Sequence, residues 1–161
     1  MRSEKVINIK KFKEYTREKT KRMVKAKIDI DSIQHMNLFE RFTAVRAKLC
    51  FDYGPSLIFV IQPESVSRVI GKVAVMRKLS SVLKRRIRIV ASPYNNEDIE
   101  PFIKSVIWPI RFKKLIFNNG ELTIIAGPQS KAALIGREKS RLNQLHDILK
   151  KYFEVQQIRI A

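Results

Sequence analysis

Cysteine, histidine and acid are scarce in this chain: one Cys, two His, and fifteen Asp and Glu among 161 residues. A lone Cys50 cannot close an internal disulfide, which points to a cytoplasmic protein with Cys50 buried in a strand. Neither His35 nor His146 has a cysteine or carboxylate at metal-ligand spacing, so no metal and no cofactor is expected. No serine elbow, Walker loop or dinucleotide fingerprint occurs, and the chain is not expected to be an enzyme. Apolar runs last only a few residues, which argues against a membrane span and a signal-peptide core. Nine Phe and four Tyr form no RNP-like stacking string. By their periodicity Phe39, Phe42, Phe51, Phe59, Phe102 and Phe117 are expected in the core. Trp108, before Pro109, is expected to pack between a helix and a strand.

What the chain does have is positive charge: 33 Lys and Arg give a formal net of +18. Residues 1–27 hold eleven of these cations against three acids, and the rest of the chain holds twenty-two against twelve. The excess is therefore not confined to one tail. A basic excess on the folded part points to a polyanion partner, with nucleic acid the leading class. Residues 1–27 read as a mobile basic arm, in part helical, or as a segment that adds only solvation and non-specific attraction.

The chain also carries a block that occurs twice. Ile58-Phe59-Val60-Ile61-Gln62-Pro63, seven further residues and Gly71-Lys72 return as Thr123-Ile124-Ile125-Ala126-Gly127-Pro128, seven residues and Gly136-Arg137. Each copy closes on Ile-Arg-Ile, at Ile87-Arg88-Ile89 and Ile158-Arg159-Ile160. Two modules of roughly 60–70 residues follow, each near the lower limit for a core of its own.

Periodicity places the elements. Asp31 or Ser32 caps a helix through Ile33, Met36, Leu38, Phe39 and Phe42. Ala44 to Phe51 alternates as a strand with Val45, Ala47, Leu49 and Phe51 on one face. Leu57 to Gln62 is a second strand, stopped by Pro63. Glu64 to Ile70 suits a short helix, Val73 opens a longer one, and Ile87 to Ala91 is a third strand. Pro93 to Asn96 reads as the linker. The order then restarts with a helix over Glu97 to Ile107 and strands over Arg111 to Phe117 and Leu122 to Ala126. Asn118-Asn119-Gly120 between those strands is a hairpin signal. A short helix ends at Ile135, a long one carries Leu142, Leu145, Ile148 and Leu149, and Val155 to Ile160 is the last strand.

This order, helix-strand-strand-helix-turn-helix-strand, resembles the KH domain in its bacterial and archaeal topology. Two such units in about 130 residues look like the archaeal NusA family of transcription elongation and termination factors. The likeness rests on Leu38-Phe39-Glu40, the strands, both Ile-Gly-basic turns and the closing strands. It implies an α/β (α+β) fold of two tandem prokaryotic-type KH domains, at 28–92 and 96–161, after a basic extension at 1–27. It further implies a monomer that binds single-stranded nascent RNA, works with RNA polymerase, and modulates termination or antitermination without crossing a membrane.

A KH turn, G-x-x-G, lets the backbone approach phosphates closely and aims the next helix's amides at them. Carried over residue by residue, the first turn is Gly71-Lys72-Val73-Ala74, supported by Arg77 and Lys78. The second is Gly136-Arg137-Glu138-Lys139, supported by Arg141. Both depart from the pattern. Ala74 and Lys139 stand where the second glycine belongs, and Glu138 would repel a phosphate. The glycines repeat at a spacing of 65, but the apolar face of the long helix repeats at 66, so the first turn is one residue shorter. Lining aliphatics Val69, Ile70, Leu134 and Ile135 divide between groove and core, at least half to core. Arg85, Arg86 and Arg88 extend a positive track toward the second module or form a solvated edge, and Lys113 and Lys114 do the same or simply block an edge strand from pairing. Two further readings stay open: a ribosome-associated KH factor that binds rRNA through charge, and a protein-docking module with degenerate turns.

Overall fold

The computed structural model describes residues 30–161. The basic extension expected at 1–27 lies outside them. Helix α1, Ile30–Thr43, ends where Ala44 enters the left-handed region at φ 58°. Thr43 seals that end: its Oγ1 donates to the Phe39 carbonyl at 2.8 Å and accepts from the Val45 amide at 3.2 Å. Strand β1, Leu49–Tyr53, turns through Gly54-Pro55 into β2, Ser56–Ile61. Helix α2, Pro63–Ile70, opens with proline at its first position, where a missing N–H costs nothing. Helix α3, Val73–Leu83, leads to β3, Arg86–Ala91. β2 runs antiparallel to β1 and parallel to β3, in the order β1-β2-β3.

The second half repeats this order. A short 3₁₀ turn at Asn96–Asp98 enters α4, Ile99–Ile107, capped by Asn95. β4, Lys114–Asn118, and β5, Glu121–Ile125, form an antiparallel hairpin. α5, Pro128–Ile135, and α6, Ser140–Phe153, cross over to β6, Gln157–Ile160, which runs parallel to β5. The sheet order is β4-β5-β6, the same as in the first half.

Met36–Ala161 packs as one unit. The inner face of the first sheet, Leu57, Phe59 and Ile61, meets Phe39, Val69 and Leu79. Phe39 stacks on Phe59 with ring centroids 4.5 Å apart, worth about 1 kcal/mol beyond the area buried. The outer face, Tyr53, Ile58, Val60 and Val90, belongs to the core of the second half, with Ile103, Val106, Ile107 and Leu145. Leu122 and Ile124 of the second sheet close that core from the other side. Layers therefore alternate: helices, sheet, helices, sheet. All six residues of β2 are buried. The far face of the second sheet carries Lys114, Asn118, Gln157 and Arg159, which are exposed.

Three sequence expectations are corrected. Residues 44–48, 111–113 and 155–156 are not strand, and β1 runs to Tyr53. Val45 and Ala47 lie in the core with Cys50, whereas Leu49 and Phe51 pack against the second half, so the four do not share a face. Trp108 does not pack between elements: it is 66% exposed.

Candidate nucleic-acid interface

The first turn is two residues long. Gly71 has φ −63° and ψ −21°, an ordinary right-handed conformation, and its amide donates to the Ser67 carbonyl at 3.0 Å. A Cβ there would sit 3.2 Å from that oxygen, so glycine here saves room rather than supplying a left-handed bend. Lys72 is already engaged: its Nζ donates to the Thr43 carbonyl at 3.0 Å and ties the turn to the end of α1. Val73 and Ala74 begin α3 and are exposed. No side chain caps that helix and no acid stands in its first turn, so its leading amides have no side-chain partner and the positive end of its dipole is not offset there. Arg77 and Lys78 are exposed one turn further on.

A groove of about 370 Å³ opens beside this turn. Its floor is apolar: Ile70, Val73 and Met76 from the helices, Ile87 and Ile89 from β3. Arg77 and Arg86 supply the charge, and no carboxylate lines it. β3 forms its far wall as an edge strand of the sheet. Ile70 and Val73 are 56% and 55% exposed, while Val69 and Leu134 are fully buried core.

The second turn has a different backbone. Gly136 takes φ 71° and ψ 175°, which favours glycine, and a Cβ there would meet the Arg141 side chain at 3.0 Å. Glu138 and Lys139 are both left-handed, at φ 53° and 59°. Lys139 therefore holds a dihedral that glycine supports, at the position where the turn pattern expects one. Arg137, Glu138 and Lys139 are exposed together. Arg141 is not with them. Its Nη1 donates to the Ala133 carbonyl at 3.3 Å, and its Nε lies 2.9 Å from where a Gly54 Cβ would stand. Beside it, Gln144 Oε1 accepts from the Gly54 amide at 2.9 Å. Arg141 thus packs at the seam between the two halves.

Sequence reasoning also missed how Arg85 and the arginines of β3 divide. Arg85 pairs with Asp52 at 2.6 Å, and Arg86 lies in the groove. Arg88 points to the other face, where its guanidinium donates to the carbonyls of Ser105 and Val106. Arg88 also lies over the Trp108 ring, 5.8 Å from its centroid. Burial pulls the Arg88 pKa below its usual value, with Tyr53 opposing the shift. The helix-strand-proline setting of Trp108 held no signal for that exposure.

No family model matches the chain, and no curated protein matches it. Among solved structures, the crystal structure of APE1850 is similar with a TM-score of 0.58 and 21% identity, over 82% of this chain and 99% of that one. At that identity the likeness bears on the fold alone, a mixed arrangement of helices on two three-stranded sheets.

Proposed function

We propose that this chain is a single-stranded RNA-binding protein of tandem KH type, with domains at 28–92 and 96–161. By its resemblance to archaeal NusA it acts on the nascent transcript with RNA polymerase, as a cytoplasmic monomer. The observation that carries this reading is the groove beside Gly71. It offers apolar surface for bases, uncapped helix amides and arginines for phosphates, and an edge strand for base edges, with no acid in its lining to oppose a polyanion. The net charge of +18 supplies steering.

The first turn leads in this reading. Arg77, which lines the groove, replaces Lys72 as its phosphate contact, because Lys72 holds Thr43; Lys78, whose ammonium lies 5.9 Å from the Phe42 ring centroid, adds charge from outside the groove. At the second turn Arg137 and Lys139 remain candidates, and Arg141 does not.

Fluorescence anisotropy of end-labelled single-stranded RNA tests the proposal. Val73→Asp and Arg77→Glu are each expected to weaken binding about tenfold or more, by desolvating a carboxylate or repelling a phosphate. Log affinity should fall linearly with log salt, with a slope of about −0.7 per phosphate neutralised. Unchanged affinity in the double variant, with an intact circular dichroism spectrum, would sink the reading. Recovery of small ribosomal particles instead of polymerase subunits from lysate would favour rRNA as the target.

A further inference from the structure

We infer that Trp108, with Arg88 and Lys104, forms a stacking platform for a base of single-stranded RNA that has left the groove beside the first turn. This rests on the RNA-binding reading above.

Three observations converge. Trp108 is the only tryptophan in the chain, and two-thirds of it faces solvent at the end of α4. Among the described residues the other large aromatics are buried or half-buried, except Tyr94, which is as exposed. The setting is also cationic and preorganised. Arg88 is held over the ring by the Ser105 and Val106 carbonyls, so its guanidinium needs little ordering when a ligand arrives. Lys104 lines the same hollow of about 490 Å³. Its ammonium pairs with Glu100 at 2.8 Å, but both partners are well exposed, and such a pair yields readily to a phosphate.

Continuity is the third observation. Ile89 lines both this hollow and the groove, so the two depressions meet along β3. The groove lies on the α2–α3 side of that strand and the hollow on the α4 side. A strand of RNA that fills a KH-type groove with about four nucleotides and crosses the edge of β3 arrives at the indole. An aromatic face with a nearby guanidinium and a lysine accepts any base, because every base has a π-face. The platform would therefore lengthen the binding site without adding sequence preference.

The test uses the intact chain and two labelled single-stranded RNAs, of about four and about ten nucleotides. Trp108→Ala should weaken the longer RNA about tenfold, in line with the loss of one base–aromatic stack, and leave the shorter one unchanged. Trp108→Phe should retain most of the affinity. The fluorescence of the single tryptophan should be quenched by the longer RNA and not by the shorter. If the longer RNA binds wild type and Trp108→Ala equally, with no quenching, the platform is wrong and the groove stands. Equal weakening of both RNAs by Trp108→Ala also overturns it, as an indirect effect. If neither RNA binds the wild-type chain, the groove reading and the platform fall together.

Discussion

At the scale of single residues, the second turn stores strain in side chains that do not suit their dihedrals. Left-handed Glu138 and Lys139 each cost about 1–2 kcal/mol relative to a relaxed backbone. Lys139→Gly should therefore raise stability by about 1 kcal/mol, read as a higher urea midpoint at unchanged slope. Cys50 and Tyr53 carry a different tension. Burial, with Asp52 adding to it, pushes the Cys50 thiol up to about 12. Burial likewise pushes the Tyr53 hydroxyl up to about 12, against Arg141 and Arg88. Both groups are protonated in both states below pH 9, so their contribution to stability is complete there. Above their ordinary values of 9.0 and 10.0 the unfolded chain releases protons that the folded chain keeps. Stability should then fall as pH rises towards 12, by up to about 1.4 kcal/mol per pH unit per group. Urea titrations at pH 8 and pH 11 measure this, and Tyr53→Phe should lessen the drop. The same substitution should be neutral or stabilising at pH 8, since the buried Tyr53 hydroxyl finds no hydrogen-bond partner among the described residues.

At the scale of elements, the hairpin between β4 and β5 was legible because its chemistry is local. Asn119 and Gly120 take φ 49° and 80°, the mirror-image turn that this pair of residues favours. Gly120 also accepts from the Gln156 and Gln157 amides at 2.8 and 3.2 Å, so the turn anchors the entry to β6. Gly120→Ala should cost about 1–2 kcal/mol, visible in thermal unfolding, because its Cβ would stand 3.2 Å from Gln156 Cγ in a left-handed backbone. The segment after α1 was not legible. Val45, Ala47, Leu49 and Phe51 alternate without interruption, yet burial parity slips between Ala47 and Cys50. Both sets are apolar because both are buried, but in different cores, and no local pattern distinguishes one core from another. The candidate site divided in the same way. The groove by Gly71 followed from a turn, a helix and an edge strand close in sequence. The commitments of Lys72, Arg88 and Arg141 depend on carbonyls 29, 18 and 8 positions away, which spacing alone does not reveal.

At the scale of the whole molecule, the two repeats do not have equivalent surroundings. The first sheet gives its outer face to the second half, while the second sheet leaves Lys114, Ile116, Asn118, Glu121, Gln157 and Arg159 exposed at the corresponding face. Ile58→Ala, at the centre of the shared face, should cost about 2–5 kcal/mol. The loss should appear as a shift of one cooperative transition rather than as two separate ones, measured by denaturant unfolding followed at Trp108 and by circular dichroism. β2 lies beneath side chains on both of its faces, and its two neighbours complete its ladder. Deuterium should enter its amides last, after those of the edge strands β1, β3, β4 and β6. Release of that one segment would then mark the moment at which both repeats come apart.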